Sequence, residues 1–205
     1  MSDESRGDEG ADQVDGTTPI DPEEAEALIP TYLTTRAELN QWEALNIARA
    51  QEWAADRKRL DPLSVAVLCD LHQRMFDETW SWAGEFRHSE KSISPHHWSQ
   101  IPVLLRELVA NMRKQYETSD RTPEQIDEIA VRFHHQLVRI HPWPNGNGRH
   151  ARLATDLLLR HWGRSPFTWG GTDRGADRET RRRYIAALRA ADGWEYGPLR
   201  EFVRS

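Results

Sequence analysis

Apolar positions recur at intervals of three and four along most of the chain beyond residue 35, the spacing of one-sided helices. From Thr35, the residues Leu39, Trp42, Ile47 and Ala50 fall roughly on one face through about residue 57. Thr35 and Glu38 have the spacing of a capping box, which places the start of that helix. Asp61-Pro62 opens the next, with Val65, Leu68, Leu71, His72 and Met75 in helical register. Helical spacing returns over residues 101–116. Thr122-Pro123-Glu124-Gln125 is a second capping box with proline at the first helical position. Ile126, Ile129, Ala130, Phe133, Leu137 and Ile140 follow it, so this helix is expected to be buried along one side up to His141-Pro142. Leu153, Ala154, Leu157, Leu158 and Trp162 mark another helix, ended by Gly163. A further one is predicted around Asp177–Ala191, and Pro198 opens a last short one.

Three stretches depart from this pattern. In residues 80–94 (WSWAGEFRHSEKSIS) Gly84 breaks the helical spacing, and a small β-hairpin or extended flap is predicted. Residues 21–29 have the features of a short helix, with Asp21 as N-cap, Pro22 at the first position and Pro30 as terminator. Residues 1–18 are acidic, carry Gly and Ser, and lack periodic apolar positions, so disorder is expected there. The expected fold class is all-α, a helical bundle with one small β-hairpin flap. Residues 19–205 form the domain and 1–18 an acidic tail.

Size and composition agree. A chain of 205 residues suits one domain, and 38% apolar with 29% charged residues suits a globular one. No window approaches the ~18 uninterrupted apolar residues of a spanning helix, so no membrane segment is expected. The N-terminal residues lack the basic and apolar regions of a secretory signal. Cys69 is the single cysteine and sits in an apolar helical run, which excludes an internal disulfide and points to a cytoplasmic protein. The formal charge is −6, and the tail holds six acids against Arg6. The body is therefore close to neutral, and no broad nucleic-acid-binding face is expected.

The chemistry is concentrated in residues 141–152, HPWPNGNGRHAR. A buried helix delivers His141. A turn built on Pro142, Pro144, Gly146 and Gly148 then leads into a new helix starting near Asn147 or Gly148. The free N–H groups and dipole of that helix point back at the turn, where they favour an anion. Arg149 and Arg152 lie on neighbouring positions of its first turn and suit a di- or triphosphate. His141 stands at the rim as a candidate general base. Each feature alone has an ordinary explanation: a structural histidine, a plain turn, a solvated arginine face. Their concentration in twelve residues between two amphipathic helices argues for a site. No P-loop and no dinucleotide-binding glycine motif is present. His96-His97 and His134-His135 are adjacent pairs without metal-ligand spacing.

The run resembles the Fic motif H-x-F-x-[DE]-G-N-G-R-x-x-R: His141, Gly146, Asn147, Gly148, Arg149 and Arg152 match, and Trp143 stands at the Phe position. Trp80–Arg87 resembles the segment before the family's target-docking flap. Tyr184, Ala187 and Leu188 resemble its late helix near the adenine. Within the family the chain looks like the mobile mystery protein B group. The resemblance implies protein AMP transfer from ATP. His141 would deprotonate a target hydroxyl, while Asn147 with the amides of Gly146–Arg149 would cradle the α- and β-phosphates. Arg149 and Arg152 would hold the β- and γ-phosphates. Glu90, Lys91, Ser92 and Ile93 would register the target as an added strand.

One position departs from the motif. Its acidic residue, which implies a Mg²⁺ site, is Asn145 here, an uncharged and weaker ligand. A non-catalytic or differently specific nucleotide-binding regulator is therefore the alternative. Gly148-Arg149 lacks the lysine of the Doc-like variant, which favours nucleotidyl over phosphate transfer. The family's inhibitory motif [ST]-x-x-x-E-[GN] has no clean copy. Glu26 and Glu38 are the candidates for its glutamate, with a separate antitoxin-like chain as the alternative source of inhibition. The target protein is not specified by the sequence.

Overall fold

A computed structural model describes residues 25–57, 60–171 and 178–205, with Arg178 in backbone only. These residues form seven α-helices: α1 (Arg36–Ala55), α2 (Val65–Phe76), α3 (Ile101–Thr118), α4 (Pro123–Ile140), α5 (Asn147–His161), α6 (Arg178–Asp192) and α7 (Gly197–Arg204). A 3₁₀ turn at Trp98–Gln100 leads into α3. The expected tail and the start of the expected helix at 21–29 lie outside the described residues. Residues 26–29 form a turn, with one isolated antiparallel bridge between Leu28 and Trp80.

Helices α4 and α5 are the centre of the fold because each contributes to two apolar clusters. Phe133, Leu137, Ala154 and Leu158 pack with Leu39, Leu68, Leu71, Met75, Phe76 and Leu105 from α1, α2 and α3. Ile126, Ala130, Val131 and Leu159 pack with Phe167, Trp169, Tyr184, Leu199, Phe202 and Val203 around α6 and α7. The start of α4 is fixed as the sequence predicts. The Thr122 hydroxyl accepts from Gln125 N–H, and the Gln125 side-chain carbonyl accepts from Thr122 N–H, both at 3.3 Å.

The expected β-hairpin is not formed. Residues 81–97 run as turns and extended chain without strand pairing. The reason is Arg87, which is 1% exposed. Its guanidinium takes the carbonyls of Ser89 (2.6 Å) and His96 (2.8 Å), so the two sides of the loop converge on a cation rather than on each other. The buried face of α1 also differs from the predicted stripe. It is Leu39, Glu43, Asn46, Ala50 and Ala54, with Trp42 and Ile47 at its flanks. A glutamate thus occupies the middle of a buried stripe.

Candidate active site

Helix α4 ends on His141, which caps it in the left-handed conformation (φ 54°, ψ 61°). A non-glycine residue held there is uncommon and marks a constrained position. The chain then turns through Pro142–Gly146 and enters α5. Gly146 caps α5 with φ 76°, and a Cβ there would lie 2.5 Å from the Phe76 ring. Only glycine meets both demands. The first helical bond of α5 is from His150 N–H to the Gly146 carbonyl (2.9 Å), so the N–H groups of Asn147, Gly148 and Arg149 precede the hydrogen-bonded ladder. A Cβ at Gly148 would meet nothing within 4 Å, so open space lies beside these donors. The arrangement fits an anion on the α5 N-terminus.

Below the turn lies a stack of buried rings. His72 stacks on Trp143 (centroids 4.3 Å, 17°), and His150 meets Trp143 edge-on. Gly84 N–H donates to His72 Nδ1 (3.0 Å), so the proton sits on Nε2, which donates to the Asn145 carbonyl (3.2 Å). His150 is fixed likewise: Trp143 Nε1–H donates to its Nδ1, and its Nε2–H donates to the Leu68 carbonyl (2.9 Å). Burial holds His72 well below the usual histidine range and pushes His150 down to about 4. Both are neutral supports of the turn. Asn147 belongs to the same support. Its Oδ1 accepts from Trp143 N–H (3.0 Å) and its Nδ2 donates to the Trp143 carbonyl (2.8 Å). The side chain braces the turn, and what it can offer a phosphate is its backbone N–H.

His141 is half-buried. Its Nδ1 is enclosed and the Val138 backbone hydrogen-bonds the ring, so a proton held on Nδ1 leaves Nε2 as the nitrogen that can accept one from a substrate. Burial, with Arg87 and Lys91 adding positive charge against a raising effect of the Val138 backbone, pushes it down to about 4. The ring is neutral at pH 7 and can accept a proton.

The two motif arginines have different settings. Arg149 makes a two-pronged ion pair with Glu43 (2.6 and 3.2 Å) and lies over the Phe76 ring. Glu43 is buried and also accepts from Trp80 Nε1 (2.8 Å). Arg152 lies over the Tyr184 ring at 5.2 Å, with Nε 3.4 Å from the Gly148 carbonyl. Tyr184 is buried beneath it and shares a 2.9 Å hydrogen bond with His134. Burial pushes the Tyr184 phenol up to about 12 and His134 down to about 3.

Other predicted residues fall outside this cluster. Asn145 is exposed, and its Oδ1 accepts from Gly146 N–H at 2.6 Å. No group of three or more histidine, cysteine or acidic side chains is disposed around a metal among the described residues. Position 145 thus offers an amide where the motif has a carboxylate, and the described residues present no acidic cluster around it to hold a resident metal. In the flap, Glu90 pairs with His97 (3.3 Å), Lys91 is half-buried, and Ser92 and Ile93 are exposed. Glu26 is exposed in its turn. Glu38 is engaged at the cap of α1, where its carboxylate accepts from Thr34 and Thr35 N–H at 3.0 Å. These bonds lower its pKa. Glu43, five residues further on, is a carboxylate that reaches the motif arginine Arg149. Sequence reasoning missed it, although an acid between Leu39, Asn46 and Ala50 in a buried stripe was the available signal.

Residues 62–159 match the model of the Fic/DOC family. This segment of the chain is a Fic/DOC domain. The chain is 28% identical over 151 residues to protein adenylyltransferase fic-1 of Caenorhabditis elegans, covering 72% of this chain and 27% of that protein. It is 25% identical over 113 residues to a protein adenylyltransferase of Bartonella henselae, covering 46% and 21%. It thus spans about a quarter of the length of these curated relatives. Among solved structures, the type IV secretion effector BepA superposes with a TM-score of 0.67 at 19% identity, covering 83% of this chain and 62% of that one. BepC of Bartonella tribocorum, solved with AMPPNP, gives 0.63 at 17% identity and covers 88% and 95%. The helical arrangement described above is therefore the Fic fold. Among the described residues no helix is long and apolar enough to cross a membrane.

Proposed function

We propose that the chain is a protein adenylyltransferase. The observation that carries this reading is one geometric unit: a neutral, half-buried imidazole at the end of α4, joined by the Pro142–Gly146 turn to the N-terminus of α5, with Arg149 and Arg152 on that helix's first turns. In the reaction, a target hydroxyl attacks the α-phosphorus of ATP. His141 Nε2 takes the hydroxyl proton, the bond from the α-phosphorus to the bridging oxygen breaks, and pyrophosphate leaves. The N–H groups of Asn147, Gly148 and Arg149 hold phosphate oxygens, and the two guanidiniums neutralise the leaving pyrophosphate. Gly146 supplies the turn that aims these groups. The curated relatives named above are protein adenylyltransferases, and BepC binds an ATP analogue, which supports the reading.

Mg²⁺ enters this scheme as part of the nucleotide substrate, coordinated mainly by phosphate oxygens, because Asn145 contributes no charge. Residues 19–205 are the proposed catalytic unit and 1–18 a tail. The finer placement near the mobile mystery protein B group is likewise a proposal, resting on the resemblance of the sequence. A cytoplasmic location is proposed for the chain, with Glu90, Lys91, Ser92 and Ile93 at the loop that docks a protein target. The second reading, a nucleotide-binding regulator, is favoured by the same Asn145. Incubation with α- and γ-labelled ATP separates the readings. Label on protein from the α position alone supports AMP transfer. Label from γ supports phosphate transfer, and nucleotide binding with neither supports the regulator.

A further inference from the structure

Arg87 is a buried cation without a carboxylate in ion-pair distance among the described residues; Glu90 is the acid that acts on it electrostatically. Four side-chain hydrogen bonds account for it. Nε donates to the His141 carbonyl (2.7 Å), Nη1 to the Ser89 carbonyl (2.6 Å), and Nη2 to the His96 carbonyl (2.8 Å) and the Ser94 hydroxyl oxygen (3.3 Å). Its backbone N–H donates to the Pro142 carbonyl (2.9 Å). Ser94 Oγ lies 3.0 Å from the Arg139 carbonyl and 3.2 Å from that of Ile140.

The Arg139, Ile140 and His141 carbonyls are the orphan acceptors at the C-terminus of α4, where the helix dipole is negative and a cation is favoured, while the Ser89 and His96 carbonyls belong to the loop itself. The loop between Arg87 and His96 therefore caps the helix that presents His141, and the guanidinium joins the two faces of that cap.

We propose that Arg87 is a positioning residue that locks the docking loop and the His141 turn into one unit, so that the loop which receives the target also sets the orientation of the base. Four converging bonds in a planar fork leave the His141 carbonyl one place to sit. The left-handed backbone of His141, which has no intrinsic preference for that conformation, is held by bonds to its own carbonyl and to the next one. The charge also acts on the ring. Burial is the main cause of the neutral His141 ring, and the positive charges of Arg87 and Lys91 add to it, against the Val138 backbone.

The inference rests on the proposed AMP transfer for its kinetic consequences, but its structural core is testable without activity. Three variants graded in severity are informative: Arg87→Lys keeps the charge and loses the fork, Arg87→Gln loses both, and Ser94→Ala removes a single partner. In the apo protein, NMR titration should show the His141 pKa, pushed down to about 4 mainly by burial, rising in Arg87→Gln because one of its two cationic neighbours is lost. In Arg87→Lys and Ser94→Ala, amide hydrogen exchange should accelerate together in residues 88–97 and at His141. In AMP transfer, these two variants should lose about tenfold or more in kcat while ATP affinity stays within about twofold, as expected for a displaced base. Faster loop exchange with unchanged His141 titration and unchanged kcat would reduce Arg87 to a structural residue and overturn the proposal. Equal loss of ATP affinity would overturn it too. If the wild type transfers no AMP, the functional reading fails, while the His141 titration and the exchange data still decide the coupling.

Discussion

Replacing Glu43 by Gln tests how the site balances stability against nucleotide binding. The wild-type carboxylate is buried, bonds Arg149 through both oxygens and accepts from Trp80 Nε1. Breaking a fully buried ion pair costs about 3–5 kcal/mol. Here the Arg149 side chain is 35% exposed, so water recovers part of its solvation, and glutamine can still accept from Trp80. A loss of about 2 kcal/mol is expected, which lowers Tm by roughly 4–8 °C for a chain of this size. The same change frees Arg149 for phosphate. A charge-assisted hydrogen bond contributes about 1.5–3 kcal/mol, and regaining the lower part of that range tightens ATP about tenfold. The variant should melt lower without nucleotide yet bind a non-hydrolysable ATP analogue more tightly by calorimetry. Glu38→Gln is the control, since its carboxylate caps α1 and should leave nucleotide affinity unchanged. If Glu43→Gln weakens nucleotide binding, the pair orients Arg149 for phosphate and does not compete with it.

Gly148→Ala separates the site from the scaffold: the added methyl meets no protein atom, so helix stability should hold or rise by about 0.5–1 kcal/mol while nucleotide affinity falls. An unchanged affinity would place the phosphates elsewhere. Asn145→Asp should lower the Mg²⁺ needed for half-maximal transfer and raise the rate; slower transfer at every Mg²⁺ concentration would make Asn145 a turn residue only. Acid should destabilise the fold through His134 and His150, held near 3 and 4 by burial. Their folded values lie below the unfolded one, so the unfolded chain binds protons first, and stability is lost as pH falls from about 6.5 towards 4. At pH 5 the two together cost about 4 kcal/mol, a large part of a typical 5–15 kcal/mol. Urea melts followed by tryptophan fluorescence at pH 7 and 5 check this, and equal midpoints would contradict it.

Local signals carried much of this fold. The Thr35–Glu38 and Thr122–Gln125 boxes form as their spacing predicts, and α4 delivers His141 to the turn that the glycines allow. What stayed hidden was pairing across long separations. Glu43 meets Arg149 from 106 residues away, and Arg87 meets the His141 carbonyl from 54 away. Neither partner leaves a periodic trace, because a single buried charge breaks a pattern rather than making one. The flap was misread for the same reason. Gly84 ends the helical spacing there, but a cation at the base of the loop draws its carbonyls inward instead of leaving them to pair as strands. Asn147 shows a subtler limit: its place in the motif suggests a ligand contact, while its side chain closes a buried bond pair with Trp143.

The central claim is that His141 accepts the proton of a target hydroxyl during AMP transfer while the phosphates are held elsewhere. The direct measurement compares wild type and His141→Ala for the initial rate of α-label transfer to protein and, in parallel, for ATP affinity. The account predicts that transfer is abolished while affinity stays within about threefold, since the α5 N-terminus and the two arginines remain. Retained labelling in His141→Ala would contradict it.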